Sequence, residues 1–300
     1  MIVETINNSM LVYRPEDHGM IDGYYRYCIT LLRNCLFRNS FNLNVILGNY
    51  NFGFANTNKT VRIGIQCEHT LVKPGGRTVQ EVIYGTVKHE DGTYLIRIQE
   101  FDYINSLDCI IEYSLANIHN ISTNDRFNDY LKKVAYVSAA YYDINFDKTE
   151  KTDIITMFID NSNFRRSKIL NDLIEVNVPN KKIENCFSSI ELNNVYKKTK
   201  IMVNVHQTDH HHTLEEFRVL PALMTGVLVV SEKVPLTEVI PYSNFIIWSD
   251  YKDIAKTTLD VMNNYDEYYD KIFTNGNLSN VLMELKKRDE TAFDNILTNI

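Results

Sequence analysis

The feature that most constrains this chain is the alternation, between residues 153 and 268, of short β-branched runs with amphipathic helical segments. The runs 153–159 (DIITMFI), 201–205 (IMVNV), 227–231 (VLVVS) and 244–248 (NFIIW) are too short for helices. Helical segments follow at 164–174, 192–199, 214–224 and 251–268, with one more short strand, IEVNV, expected at 174–178. Parallel strands need long crossovers, usually helices, so repeated βαβ units predict a parallel sheet with helices on both faces. The first half is less regular. Its candidate strands are 10–13, 44–47, 61–65, 94–98 and 109–112, and over 24–37 the positions Tyr24, Tyr27, Cys28, Leu31, Leu32 and Cys35 recur at helical spacing. Residues 278–300 read as one or two terminal helices.

A chain of 300 residues exceeds the usual span of one hydrophobic core, which predicts two α/β domains, 1–146 and 147–300, meeting at the polar stretch 143–152. The net charge of -7 argues against nucleic acid or an anionic membrane as partner. No apolar run reaches the ~18 to 20 residues of a membrane span. The start MIVETINNSM lacks the basic and apolar segments of a secretory signal, so a soluble, cytoplasmic protein is expected. Five scattered cysteines without a CxxC suggest reduced thiols rather than disulfides or a zinc ribbon. GxxxxGK[ST], GxSxG and GxGxxG are absent, which disfavours P-loop kinases, serine hydrolases and ordinary dehydrogenases.

Three constellations could carry chemistry. The turn 160–168 follows a strand and opens a helix, where free backbone N–H groups favour anions, and it holds Arg165, Arg166 and Lys168. Residues 160–200 contain eight Lys or Arg against five Asp or Glu, which favours a phosphate cradle over a merely solvated helix start. The second constellation comprises Asn204 and His206 at a strand end, with Asp209 and the run 210–212 just beyond. Adjacent histidines rarely converge on one ion and the spacing is not HExxH, so no metal site is expected; His206 is the histidine expected to touch a ligand. The third is Glu68 beside His69 after strand 61–65, with Glu16, Asp17 and His18 as a second set of acids around a histidine.

The strand 201–205, its polar loop, a helix carrying Glu215, Glu216 and Arg218, then Gly226 and an apolar strand ending in Ser231 and Glu232, resemble the nucleotide-binding domain of GT-B glycosyltransferases. The turn through Asn163, Phe164, Arg165 and Arg166 is similar to theirs as well. The resemblance covers about residues 150–270; over 1–140 only the α/β layout agrees. It implies two Rossmann-like domains facing a cleft, a nucleotide-sugar donor, a sugar or glycan acceptor, and no required metal or cofactor. By the same resemblance Arg218 faces the diphosphate, while Glu215 and Glu216 contact donor hydroxyls or orient the arginine. Where many members carry two paired glutamates this chain has Thr213 and Pro221, which leaves Glu232 as the spare carboxylate for a ribose. A base from the first domain would be Glu68 or His69, with the loop 73–77 over the acceptor. A sugar-nucleotide epimerase and a catalytically decayed binding or scaffold protein are the alternatives.

Overall fold

The computed structural model describes residues 2–6, 10–14, 19–48, 57–73, 82–89, 92–98, 100–157, 164–184, 186, 188–210 and 212–299. Glu16, Asp17, His18, residues 74–77 of the glycine-bearing loop, the turn 160–163 and His211 lie outside these described residues. The first half runs β1 (Ile2–Ile6), β2 (Met10–Arg14), α1 (Gly19–Arg38), β3 (Leu43–Leu47), β4 (Lys59–Gln66), β5 (Leu71–Val72), β6 (Val82–His89) and β7 (Gly92–Ile98). It continues through α2 (Phe101–Asn105), β8 (Cys109–Glu112), α3 (Leu115–Ser122), α4 (Asn128–Leu131) and β9 (Val134–Tyr136). The second half runs β10 (Asp153–Thr156), α5 (Phe164–Glu175), β11 (Lys181–Lys182), α6 (Ser189–Lys198), β12 (Thr199–Asn204), α7 (Glu216–Met224), β13 (Leu228–Glu232) and β14 (Ile247–Ser249). Helices α8 (Ile254–Asn263), α9 (Tyr265–Tyr269), α10 (Leu278–Glu290) and α11 (Asp294–Thr298) close the chain.

Two parallel sheets result, an arrangement compatible with a Rossmann-like α/β fold. The second has the order β11-β10-β12-β13-β14, parallel throughout. Its central strands are apolar on both faces because helices cover both, and every residue of β13 is buried. The first has the order β1-β2-β3-β4-β8-β9, parallel except for the antiparallel edge pair β1–β2. The expected strand 94–98 belongs to neither: β7 lies between β5 and β6 in a small antiparallel sheet.

The expected strand at 174–178 is absent. The buried positions Arg166, Ile169 and Leu173 keep α5 helical to Glu175. Asn177 then takes a left-handed φ of 58°, with Val178 N–H donating to the Leu173 carbonyl and Asn177 N–H to that of Ile174. This is a Schellman cap, and the local β preference of the segment yields to it.

The stretch 143–152 is irregular backbone, pinned where Asn145 N–H donates to the Met224 carbonyl at 2.8 Å and Tyr269 Oη donates to that of Phe146. The last helix crosses back: Phe293 and Leu297 join the core of the first sheet with Tyr24, Leu32, Val45 and Ile63. All five cysteines are free thiols. Among the described residues no helix is long and apolar enough to cross a membrane.

Candidate functional site

The carboxyl ends of the two parallel sheets meet. Tyr113, after β8, stacks on Phe217 of α7 with ring centroids 4.2 Å apart, and Tyr24 meets the same ring edge-on at 5.0 Å. Thr213, leading into α7, donates to Asn117 Oδ1 of α3 at 3.2 Å, and the same oxygen accepts from the Thr70 hydroxyl at 2.9 Å. The loop after β12 extends the small antiparallel sheet: Lys73 N–H donates to the His210 carbonyl at 2.8 Å and His212 N–H to that of Leu71 at 3.1 Å. His210 and His212 thus border that sheet through their main chains. Among the described residues no three His, Cys, Asp or Glu are grouped to hold a metal ion.

On the second-half side, β12 delivers Asn204 and His206, and the approach to α7 delivers Glu215. His206 Nδ1 lies 3.0 Å from Glu215 Oε1, and Asn204 Nδ2 donates to Glu215 Oε2 at 2.8 Å and to Ser231 Oγ at 3.0 Å. Burial disfavours charge on both partners of the histidine–glutamate pair, but their mutual attraction prevails. It raises the His206 pKa above its ordinary value and holds the Glu215 carboxyl well below the carboxylate range, with Arg218 and His69 assisting. The pairing thus favours the charged form of His206, whose Nε2 is buried without a hydrogen-bond partner among the described residues. His212, 5.6 Å away between ring centroids, has its pKa lowered by burial.

The three expected phosphate-cradle cations do not converge. Successive helical residues are about 100° apart, so the side chains fan out. Arg165 turns to the strand ends, Arg166 is buried on the inner face with Ile169 and Leu173, and Lys168 is exposed, paired with Asp172 one turn on at 2.6 Å. Arg165 is itself held. Its Nη1 and Nη2 donate to Glu232 at 2.8 and 2.5 Å, its Nε pairs with Asp209, and the Tyr251 ring lies 4.0 Å from the guanidinium carbon. Glu232 also accepts from His206 N–H at 3.1 Å, so both of its oxygens are engaged in anchoring Arg165 and the strand end.

Arg218 is half-buried beside the end of β10, donating to the Met157 carbonyl at 3.2 Å while its own carbonyl accepts from Tyr196 Oη. Glu216 accepts from Tyr242 Oη at 2.5 Å, and burial pushes its pKa up to about 7.

On the first-half side, Glu68 is 46% exposed, with Arg97 Nη2 3.5 Å from its carboxylate, and His69 is near enough to lower the Glu215 carboxyl. Of the two expected acceptor-side residues, His69 thus lies near the His206–Glu215 pair. Sequence reasoning missed Glu112. It ends β8, its Oε1 accepts from Ser114 N–H and Asn117 Nδ2, both at 3.0 Å, and its Oε2 is buried without a partner. Burial raises its pKa well above the carboxylate range, with Glu216 across the junction adding to the effect. The signal was present: a carboxylate closing an apolar strand and followed by a serine N-cap. Tyr251 and Tyr242 carried no signal, because only the tertiary fold brings them to Arg165 and Glu216.

Fold and site together define an α/β protein with Rossmann-like parallel sheets and a polar site at the carboxyl ends of their strands. No protein-family model matches the chain. It is similar to an uncharacterized protein, R358, of Acanthamoeba polyphaga mimivirus, 24% identical over 231 residues that span 73% of this chain and 79% of that protein.

Proposed function

We propose that the chain is a GT-B-type glycosyltransferase, with 1–146 and 147–300 as its two domains, that moves a sugar from a nucleotide-sugar donor to a hydroxyl of a sugar or glycan acceptor. One observation carries this reading. Where the two sheets meet, four buried polar atoms from both halves have no hydrogen-bond partner among the described residues: Gln66 Nε2, Glu112 Oε2, Asn204 Oδ1 and His206 Nε2. Each such atom costs about 1 to 3 kcal/mol, and a cluster at strand carboxyl ends is the mark of a site built for a polar ligand.

In this reading the donor diphosphate lies among Arg218, His206 and Arg165. These fixed cations stabilise the charge that develops as the bond from the anomeric carbon to the phosphate oxygen breaks, so no resident metal or cofactor is invoked. The acceptor hydroxyl approaches from the first half. As its oxygen bonds the anomeric carbon, its proton passes to Glu68 or His69, and the nucleoside diphosphate leaves. The test is incubation of the purified protein with UDP-, GDP-, CDP-, ADP- and dTDP-sugars, followed by thermal shift and slow donor hydrolysis. Stabilisation and turnover by one nucleotide class are expected. Inertness toward all of them overturns the proposal.

A further inference from the structure

We infer that the Asp209 carboxylate is an internal stand-in for a phosphoryl group: it occupies the anion-binding edge of Arg165, and a diphosphate binds by displacing it. This rests on the nucleotide-sugar reading of the same site.

Arg165 is built into a receptor. Glu232 grips Nη1 and Nη2 at 2.8 and 2.5 Å, the Tyr251 ring covers one face at 4.0 Å, and Tyr251 Oη donates to the Arg165 carbonyl at 2.8 Å. Those contacts fix the guanidinium plane and direct its Nε edge at Asp209. Glu232 alone balances the charge of Arg165, so the second carboxylate is surplus to it.

Exposure separates the two acids. Arg165 is 13% and Glu232 8% exposed in their side chains, whereas Asp209 is 77% exposed. Glu232 is part of the buried frame. Asp209 reaches in from water, and a solvated carboxylate that returns to water loses little.

The backbone around Asp209 is already secured. Its carbonyl lies 2.8 Å from His212 Nε2, and His210 and His212 pair with β5 through their main chains. Freeing the Nε edge of Arg165 from Asp209 therefore requires rotation of the Asp209 side chain. Arg165 is the second residue of the twelve-residue α5, whose N-terminal dipole favours an anion there. The Nε and Nη2 edge of a guanidinium matches two phosphoryl oxygens, and a phosphoryl group carries more charge than one carboxylate, so a diphosphate competes effectively for the position.

The experiment is calorimetric titration of inorganic pyrophosphate and of the nucleoside diphosphates UDP, GDP, CDP, ADP and dTDP into the full chain at low salt. The proteins are wild type, Asp209→Asn, Asp172→Asn and Asp209→Asn combined with Arg165→Lys. Asp172→Asn makes the same change in net charge at the Lys168 pair, further along α5. Arg165→Lys keeps the charge facing Glu232 but removes the side-on edge, and thermal melting verifies that each variant is folded. Removing one competing charge-assisted contact should tighten pyrophosphate binding by about 3- to 30-fold in Asp209→Asn. Asp172→Asn should leave it unchanged, and Arg165→Lys should erase the gain. Binding by wild type with no gain in Asp209→Asn, or an equal gain in Asp172→Asn, or a gain that survives Arg165→Lys, overturns the inference while the donor-site reading stands. No binding of pyrophosphate or of any nucleoside diphosphate to wild type or Asp209→Asn overturns both.

Discussion

Arg218 and His69 carry the sharpest residue-scale expectations of the proposed reading, because each acts on Glu215 from a different half. Among the described residues the Arg218 guanidinium donates to the Met157 carbonyl, and its charge helps hold the Glu215 carboxyl below the carboxylate range. Arg218→Ala should weaken binding of the cognate nucleotide by about 2 to 4 kcal/mol, the loss of a charge-assisted and partly buried partner. Isothermal calorimetry measures this, and unchanged affinity would remove Arg218 from the site. For the proton acceptor, Glu68→Gln and His69→Ala separate the two candidates. Substituting the true base should lower turnover by roughly 100- to 10,000-fold with donor affinity nearly unchanged, because proton transfer belongs to the chemical step. Near-normal turnover in both variants would reject the pair.

At the scale of elements, α7 shows how a local rule is broken and compensated. Pro221 sits inside the helix and has no N–H to give the Phe217 carbonyl, and Tyr141 Oη approaches that carbonyl at 3.4 Å from outside. The helix is buried along most of its length, so packing rather than propensity holds it. It ends at Gly226, whose φ of +69° lies in the left-handed region. A Cβ there would stand 3.0 Å from both Phe146 Cα and Tyr269 Oη. Gly226→Ala should therefore destabilise the protein by about 1 to 3 kcal/mol, through strain and contact with a backbone that cannot retreat. Urea denaturation reads the loss. An unchanged midpoint would show that the connection between the halves yields more readily than its packing implies.

At the scale of the whole molecule, the chain end ties the halves together and makes that tie sensitive to pH. Asp289 of α10 is fully buried, accepting from Ser138 N–H at 2.9 Å, the Ser138 hydroxyl at 2.6 Å and Tyr27 Oη at 3.0 Å. Burial outweighs these donors and pushes its pKa up to about 7, from the ordinary 3.8, and Glu216 at the junction is likewise raised to about 7. A carboxyl with a raised folded pKa contributes stability that is complete below its unfolded value and is lost as pH rises through the folded one. Unfolding free energy should therefore fall between about pH 4 and pH 7 and level off above, by about 3 to 4 kcal/mol for each fully expressed shift of this size. Asp289→Asn should flatten that decline, as followed by urea denaturation at several pH values. A decline of undiminished size in the variant would place its origin elsewhere.

The βαβ rhythm of residues 150–270 was legible because parallel strands covered on both faces must be apolar throughout, and that leaves a trace in any single sequence. The same holds for Asn204, His206 and Glu215, since strand ends and the start of a following helix are adjacent in sequence as well as in space. Gly226 was equally readable, as the residue type that tolerates a left-handed turn. The α/β layout of the first half could be read, but not the separate sheet of β5, β6 and β7, because antiparallel pairing there depends on partners distant along the chain. What only the tertiary structure decided was the use made of each charge. Arg165, Arg166 and Lys168 are sequence neighbours of one chemical kind, yet helical rotation sends one to a clasp of Glu232 and Tyr251, one into the core and one into water. Glu112 and Glu216 lie 104 positions apart and acquire raised pKa values because two sheets bury them at one junction. Periodicity records which face of an element is covered, whereas desolvation and ion pairing depend on what covers it, and that is set by the whole fold.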